Sequence, residues 1–155
     1  MGTKILVAVD RSDTSDSVAA AAAVVARGAD ASVLLVSVAP REPDAFGRQV
    51  VRKVITEPVP NSLRDRHELL VRLAARIREA GIACETLMVR GDPGPTLIDE
   101  ARRAKASLIV MGSHGRGALY RKLIGSVSET VLRDGRFPVL VVPSRAVGNK
   151  PSDPD

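Results

Sequence analysis

The chain is poor in cysteine, histidine and aromatic residues, and each shortage excludes a class of protein. Its 155 residues include one cysteine, two histidines, three aromatics and no tryptophan. A single cysteine, Cys84, excludes a disulfide framework and a multi-cysteine zinc site, and it points to a reducing compartment. Three aromatics are too few for a platform on which single-stranded nucleic acid could stack.

Long hydrophobic runs and long basic runs are also missing. No apolar run approaches the roughly 18 residues needed to cross a bilayer, and the first residues lack the layout of a signal peptide. We therefore expect a cytosolic protein with no membrane partner. Lys and Arg exceed Asp and Glu by 23 to 18, a net charge of +5. Because these cations are dispersed, we interpret the excess as attraction for a small polyanion and not for nucleic acid.

Hydrophobic residues make up 45% of the chain, which predicts one packed domain over residues 4–143. Five short runs rich in β-branched residues predict strands. Several of these runs are apolar without alternation, as expected for parallel strands that are covered on both faces. The predicted strands are Lys4 to Val9, Ser32 to Val38, Cys84 to Val89, Ser107 to Met111 and Pro138 to Val142.

Amphipathic patterns between these strands predict four helices. Each pattern has a start signal, an end signal or both, such as the capping box that Ser126 and Glu129 suggest. The signals are Asp13 and Gly28 for the first helix, Gly81 for the end of the second, Asp92 for the start of the third, and Ser126 and Gly135 for the fourth. This alternation predicts a five-stranded, parallel, doubly wound (Rossmann-like) sheet in a three-layer α/β/α domain. Ligands of such sheets bind beyond the carboxyl ends of the strands.

Two segments fall outside the alternating pattern. Residues 40–61 contain four prolines and no clear period, which predicts a mobile loop or flap inside the domain. Residues 144–155 are polar and rich in proline, which predicts a flexible tail.

The stretch from Gly112 to Ser128 has the composition of an anion site. It contains no carboxylate, and it carries Arg116, Arg121 and Lys122. Its glycines predict a turn with positive φ and uncovered amides, and the next helix would present its N-terminal amides and serine hydroxyls to phosphate oxygens. Neither the Walker A pattern nor the dinucleotide GxGxxG fingerprint fits the stretch.

The spacing that fits is Gly112, two residues, Gly115, nine residues and then Gly125-Ser126. With this spacing and its flanking strands, the chain resembles the universal stress protein family, in particular its ATP-binding branch, over nearly the whole domain. The resemblance implies that ATP is bound, with Mg²⁺ on its phosphates. It also implies a homodimer that pairs the edge strand at residues 138–142.

The resemblance further implies a role for individual positions. The end of the first strand would contact the adenosine, the end of the second would offer backbone to the adenine edge, and the glycine-rich segments would hold ribose and phosphates. The implied site residues are Ala8, Val9, Asp10, Val38, Met111, Gly112, Gly115, Arg116, Gly125, Ser126, Val127 and Ser128. Many members continue the first strand as Asp-Gly-Ser, whereas this chain has Asp10-Arg11-Ser12, so Arg11 adds a cation near the ligand.

Three functions remain open on the sequence. The first is a regulatory module that binds ATP. The second is a slow ATP hydrolase or nucleotidyl-transfer enzyme, although no catalytic residue and no protein metal ligand can be assigned. The third is an interaction protein without a ligand, in which the glycine-rich loop is architectural.

Overall fold

The computed structural model describes residues 2–11, 14–52, 61–113 and 124–143. Within these ranges the chain alternates between strands and helices, as predicted. The elements are β1 (Lys4–Ala8), α1 (Ser15–Ala29), β2 (Ser32–Ala39), β3 (Gln49–Val50), α2 (Asn61–Glu79), β4 (Cys84–Arg90), α3 (Pro93–Ala104), β5 (Leu108–Gly112), α4 (Ser126–Asp134) and β6 (Val139–Val142).

The strands form one sheet in the order β3-β4-β2-β1-β5-β6. Five strands run parallel, which confirms the predicted doubly wound α/β/α architecture, whereas β3 pairs antiparallel with β4. The sixth strand was not predicted. It lies in the segment 40–61, where its two residues are too few to give a periodic signal. Residues 53–60 of that segment and the tail 144–155 lie outside the described residues.

The unbroken apolar runs are explained by helices on both faces of the sheet. In β1, Ile5 and Val7 face a core formed with α1 and α2, whereas Leu6 faces a core formed with α3 and α4. All three side chains are at most 1% exposed. Successive residues of a strand point to opposite faces, so a strand covered on both faces needs apolar residues at every position.

Three predicted helix boundaries are wrong by one or two residues. The N-cap of α1 is Thr14 and not Asp13, which lies outside the described residues. Gly28 lies inside α1, and the left-handed residue that ends this helix is Asp30, with φ of 51°. Ser126 is the first residue of α4, not its cap, because Gly125 occupies the N-cap position. The side chain of Glu129 pairs with Arg133, so no capping box forms. Propensity locates a helix end only approximately, and each signal lay within two residues of the residue that the fold selected.

Two expectations from composition can be compared with the described part of the chain. Cys84 is a buried free thiol, 7% exposed, as predicted for a small hydrophobic residue. Burial raises the pKa of this thiol above its ordinary value. Among the described helices, none combines the length and the apolar character that a membrane span requires.

Candidate functional site

The sheet order reverses between β1 and β5. From β1 the chain winds outward through β2 to β4, and α3 then carries it back across the sheet to β5 and on to β6. Loops at the carboxyl ends of β1 and β5 therefore diverge to opposite faces and leave a crevice between them, which is where such sheets bind ligands. The predicted residues Ala8 to Asp10 and Met111 to Gly112 lie at this crevice.

Hydrogen bonds fix the junction between β5 and α4 on one side of the crevice. Ser128 Oγ donates to the Gly112 carbonyl oxygen at 2.7 Å, and the Ser113 amide donates to the Val142 carbonyl at 2.8 Å. The Gly125 amide donates to the Ser113 carbonyl, which joins the residue before α4 to the residue after β5. These bonds hold the start of α4 against the end of β5.

The first turn of α4 presents amides that have no acceptor within the helix. The first intrahelical bond runs from the Glu129 amide to the Gly125 carbonyl at 2.9 Å, so the amides of Ser126, Val127 and Ser128 precede it. Gly125 adopts extended backbone, with φ of −74°, and it has no side chain to cap these amides. Such a helix start favours an anion, through both its free donors and the helix dipole.

The two serines of this turn differ in environment. Ser126 is exposed, whereas Ser128 is 2% exposed and its hydroxyl proton is already donated to Gly112. The predicted donation from both hydroxyls to phosphate therefore fits Ser126 better. Gly112 differs from the predicted turn with positive φ, because it is the last residue of β5. The described glycines with clearly left-handed φ are Gly47, Gly81 and Gly135.

At the end of β1, the backbone is held in place beside the crevice, where Asp10 follows the strand. The Val9 amide donates to the Val36 carbonyl at 2.9 Å, and the Asp10 carbonyl accepts the Ser15 hydroxyl. Asp10 itself is half-buried. Arg11 lies 3.7 Å from Asp65 of α2, so the extra cation in this turn is partly neutralised by an ion pair.

A cavity of 440 Å³ lies at the carboxyl ends of β2 and β4. Its volume falls in the range of small-molecule pockets, about 300–1,000 Å³. Its lining residues are Val38, Pro40, Arg41, Arg66, Gly91, Asp92 and Pro93. Val38, predicted to face adenine, is thus beside a cavity large enough for a base and sugar.

Sequence reasoning missed Arg41 and Arg66 of this cavity. Arg66 donates through Nη1 to Ser37 Oγ at 3.2 Å, and Ser37 is fully buried within the apolar strand β2. A serine inside an otherwise apolar strand was the available signal, because a buried hydroxyl needs a partner. Arg66 had been indistinguishable from the other cations of a polar helix face.

The remaining predicted positions, Gly115 and Arg116, lie outside the described residues. In the described ranges, no group of three or more histidine, cysteine or acidic side chains could hold a metal ion.

Comparison with known proteins identifies relatives over the whole domain. The model of the universal stress protein family matches residues 1–143. A universal stress protein of Methanocaldococcus jannaschii is 33% identical over 144 residues, which cover 90% of this chain and 81% of that protein. A crystal structure of a family member from Burkholderia pseudomallei is 31% identical, with a TM-score of 0.66 over 92% of this chain and 96% of that one.

Two more distant structures share the fold and contain nucleotides. A universal stress protein from Archaeoglobus fulgidus in complex with dAMP is 24% identical, with a TM-score of 0.67 over 90% of this chain and 96% of that one. An Arabidopsis thaliana family member with AMP bound is 22% identical, with a TM-score of 0.61 over 97% of both chains.

Proposed function

Because the chain belongs to the universal stress protein family, we propose that it is a regulatory module that binds ATP in the crevice between β1 and β5. The family match supports a role in stress response, and the dAMP and AMP complexes of distant relatives support an adenine nucleotide as the ligand. The observation that carries the proposal is the start of α4, where amides without helical acceptors are held at the end of β5 by the bond from Ser128 to Gly112.

The chemistry of the crevice suggests how the nucleotide is oriented. The amides of α4 favour the phosphates, together with Gly115 and Arg116 of the loop before it. A carboxylate repels phosphate but accepts from hydroxyls, so Asp10 fits the ribose. The base then lies toward Val38 and the cavity beside it.

Mg²⁺ would be held mainly by the phosphates of ATP. The described residues contain no cluster of acidic or histidine ligands, which suits an ion that keeps several waters and is bound through substrate phosphates. Bound there, the ion would neutralise phosphate charge, and the hydrogen-bond donors of the chain would position the nucleotide.

A substitution of Gly125 by Asp tests the phosphate end without unfolding the helix. The backbone of Gly125 is extended, a conformation that any residue adopts, and Asp is a favourable N-cap. The new carboxylate would satisfy the amides of α4 and repel phosphate. Isothermal titration should show ATP binding to the wild type and none to Gly125→Asp at millimolar nucleotide, while thermal stability is retained.

Gly2→Asp is the matched control, because it adds the same charge at an exposed position before β1, at the opposite end of the sheet. Gly2→Asp should bind ATP like the wild type. Undiminished binding by Gly125→Asp would contradict the proposal.

Experiments on the purified protein distinguish the three alternative functions. Mass spectrometry of freshly purified, denatured protein would detect adenine nucleotide that had been carried through purification, and its presence excludes the ligand-free alternative. A hydrolase would release phosphate, and Asp10→Ala would reduce its turnover by more than the loss of binding explains. Titrations with ADP, AMP and cyclic AMP would identify the preferred phosphate group.

We also propose a homodimer through β6, in the cytosol. β6 is the last strand of the sheet, and its residues Val139–Val142 are all only partly buried. An apolar edge strand left unpaired is an aggregation hazard, and pairing with a second copy across a two-fold axis removes it.

A further inference from the structure

The segment that follows β2 forms one wall of the cavity and has little apolar anchorage. Pro40 and Arg41 of this segment line the cavity, and Asp92 and Pro93 at the start of α3 line it from another side. The tip of the segment is solvated, with Phe46 96% exposed. Its position therefore depends on polar contacts.

At its beginning, the segment is attached to the end of β4. The Gly91 amide donates to the Ala39 carbonyl at 2.9 Å, and Arg90 donates to the Pro40 carbonyl at 3.0 Å. Arg90 also lies 3.3 Å from Glu42, which is mostly exposed. Beyond Arg48 the segment continues into β3, which pairs with β4 at Gln49 and Val50, so both ends of residues 40–48 are attached to β4.

At its far end, Arg48 reaches α3 and pairs with Glu100. Nη2 of Arg48 is 2.7 Å from Oε1 of Glu100, and Nε is 3.0 Å from Oε2, so the pair is bidentate. Glu100 is only 3% exposed. A bidentate arginine–carboxylate pair fixes orientation as well as distance, and burial of the carboxylate removes it from competing water.

The helix that carries Glu100 is itself firmly placed. Leu97 and Ala101 of α3 lie in the core at no more than 3% exposure. Gly94 approaches α4 so closely that an added Cβ would lie 2.6 Å from Cγ2 of Thr130. The ion pair thus connects the wall of the cavity, which is otherwise attached to β4 at its two ends, to the fixed helix α3.

We propose that Arg48 and Glu100 are positioning residues of the nucleotide site: their ion pair holds residues 40–48 as the wall of the cavity and thereby sets the affinity for the nucleoside part of the ligand. This inference rests on the proposed function. Neither residue lines the cavity, so both act through the segment.

The test is Arg48→Gln, compared with Arg102→Gln as a matched control. Arg102 pairs with Asp99 at 2.6 Å on the same helix, but both side chains are exposed and neither reaches the segment. In Arg48→Gln, Glu100 keeps Arg103 as a cation 4.0 Å away, so the variant should fold. Arg48→Lys keeps the charge and loses the bidentate geometry, and it should give an intermediate result.

Two readouts are needed, the Kd for ATP and hydrogen exchange across residues 40–50. If the segment occupies its place about a tenth of the time in Arg48→Gln, the apparent Kd rises about tenfold. Exchange in residues 40–50 should accelerate, and exchange in α3 and β1 should not change. Arg102→Gln should match the wild type in both measurements.

A Kd for Arg48→Gln within twofold of the wild type would overturn the inference, as would an equal rise in Arg102→Gln. Failure of the proposed function has a different signature, since the wild type would then bind no nucleotide. In that case, unchanged exchange in Arg48→Gln would also refute the proposal that the ion pair holds residues 40–48 in place. Accelerated exchange would show that the ion pair holds the segment but has no role in nucleotide binding.

Discussion

The two serines at the start of α4 should respond in opposite ways to substitution by alanine. Ser128 is buried and donates its hydroxyl to Gly112, so Ser128→Ala removes a hydrogen bond and leaves that carbonyl without this donor. Such a loss costs about 1–3 kcal/mol of unfolding free energy. For a domain of this size, about 2 kcal/mol corresponds to a fall in Tm of about 4–8 °C.

Ser126→Ala should leave stability almost unchanged, because Ser126 is exposed and makes no capping bond. Exposed substitutions of this kind usually stay within about 0.5 kcal/mol. If its hydroxyl donates to a phosphate of ATP, its removal should raise the Kd about tenfold or more, the equivalent of a hydrogen bond to a charged group.

The assay is urea unfolding of both variants together with ATP titration. Ser128→Ala should shift the midpoint to lower urea without a change in slope, which is the signature of altered stability alone. A Ser128→Ala variant with wild-type stability and no ATP binding would refute the reasoning, since its hydroxyl would then serve the ligand and not the junction between β5 and α4.

Four further predictions concern packing, helix propensity, ionisation and assembly. Gly94→Ala should lower the free energy of unfolding by about 1–3 kcal/mol, because the added Cβ would collide with Thr130. Thr130→Ala should restore part of this loss, and calorimetry of the single and double variants measures both effects. Gly28→Ala, inside α1 with open space around it, should instead add about 0.5–1 kcal/mol. Burial raises the pKa of the Cys84 thiol, so the thiol's contribution to stability is complete below its ordinary pKa of 9.0 and is lost as the pH rises through the higher pKa of the folded state. The free energy of unfolding of Cys84→Ala should therefore depend less on pH than that of the wild type between pH 7 and 10. Val141→Lys should yield a monomer in sedimentation if β6 pairs with its counterpart, and an unchanged dimer would place the interface elsewhere.

Much of the fold was predictable because its signals are local. The apolar runs at residues 5–9, 33–36 and 108–111 contain no polar residue, which requires cover on both faces and therefore parallel strands with helices between them. The strand β3 could not be predicted, since two residues show no period and the strand exists only because β4 offers an unpaired edge.

The glycine and serine spacing also led to the prediction of a phosphate site at the start of α4, which stays a prediction, but it did not distinguish the roles of the two serines. Ser126 and Ser128 are equivalent in sequence, and only the approach of Gly112 makes one of them a structural donor. Likewise, the serine in β2 indicated that a buried hydroxyl needs a partner, but only the packing of α2 made Arg66 that partner and placed it beside a cavity.

The order of residues alone determined the alternating elements and the three layers, and it predicted the edge of the sheet at which we propose that a ligand binds, because periodicity and glycine spacing act within one element or between neighbours. The tertiary structure decided which cations meet the cavity and which are paired. Arg48 and Glu100 are 52 residues apart, and contacts of that kind are selected by the packing of whole elements, for which no local pattern exists.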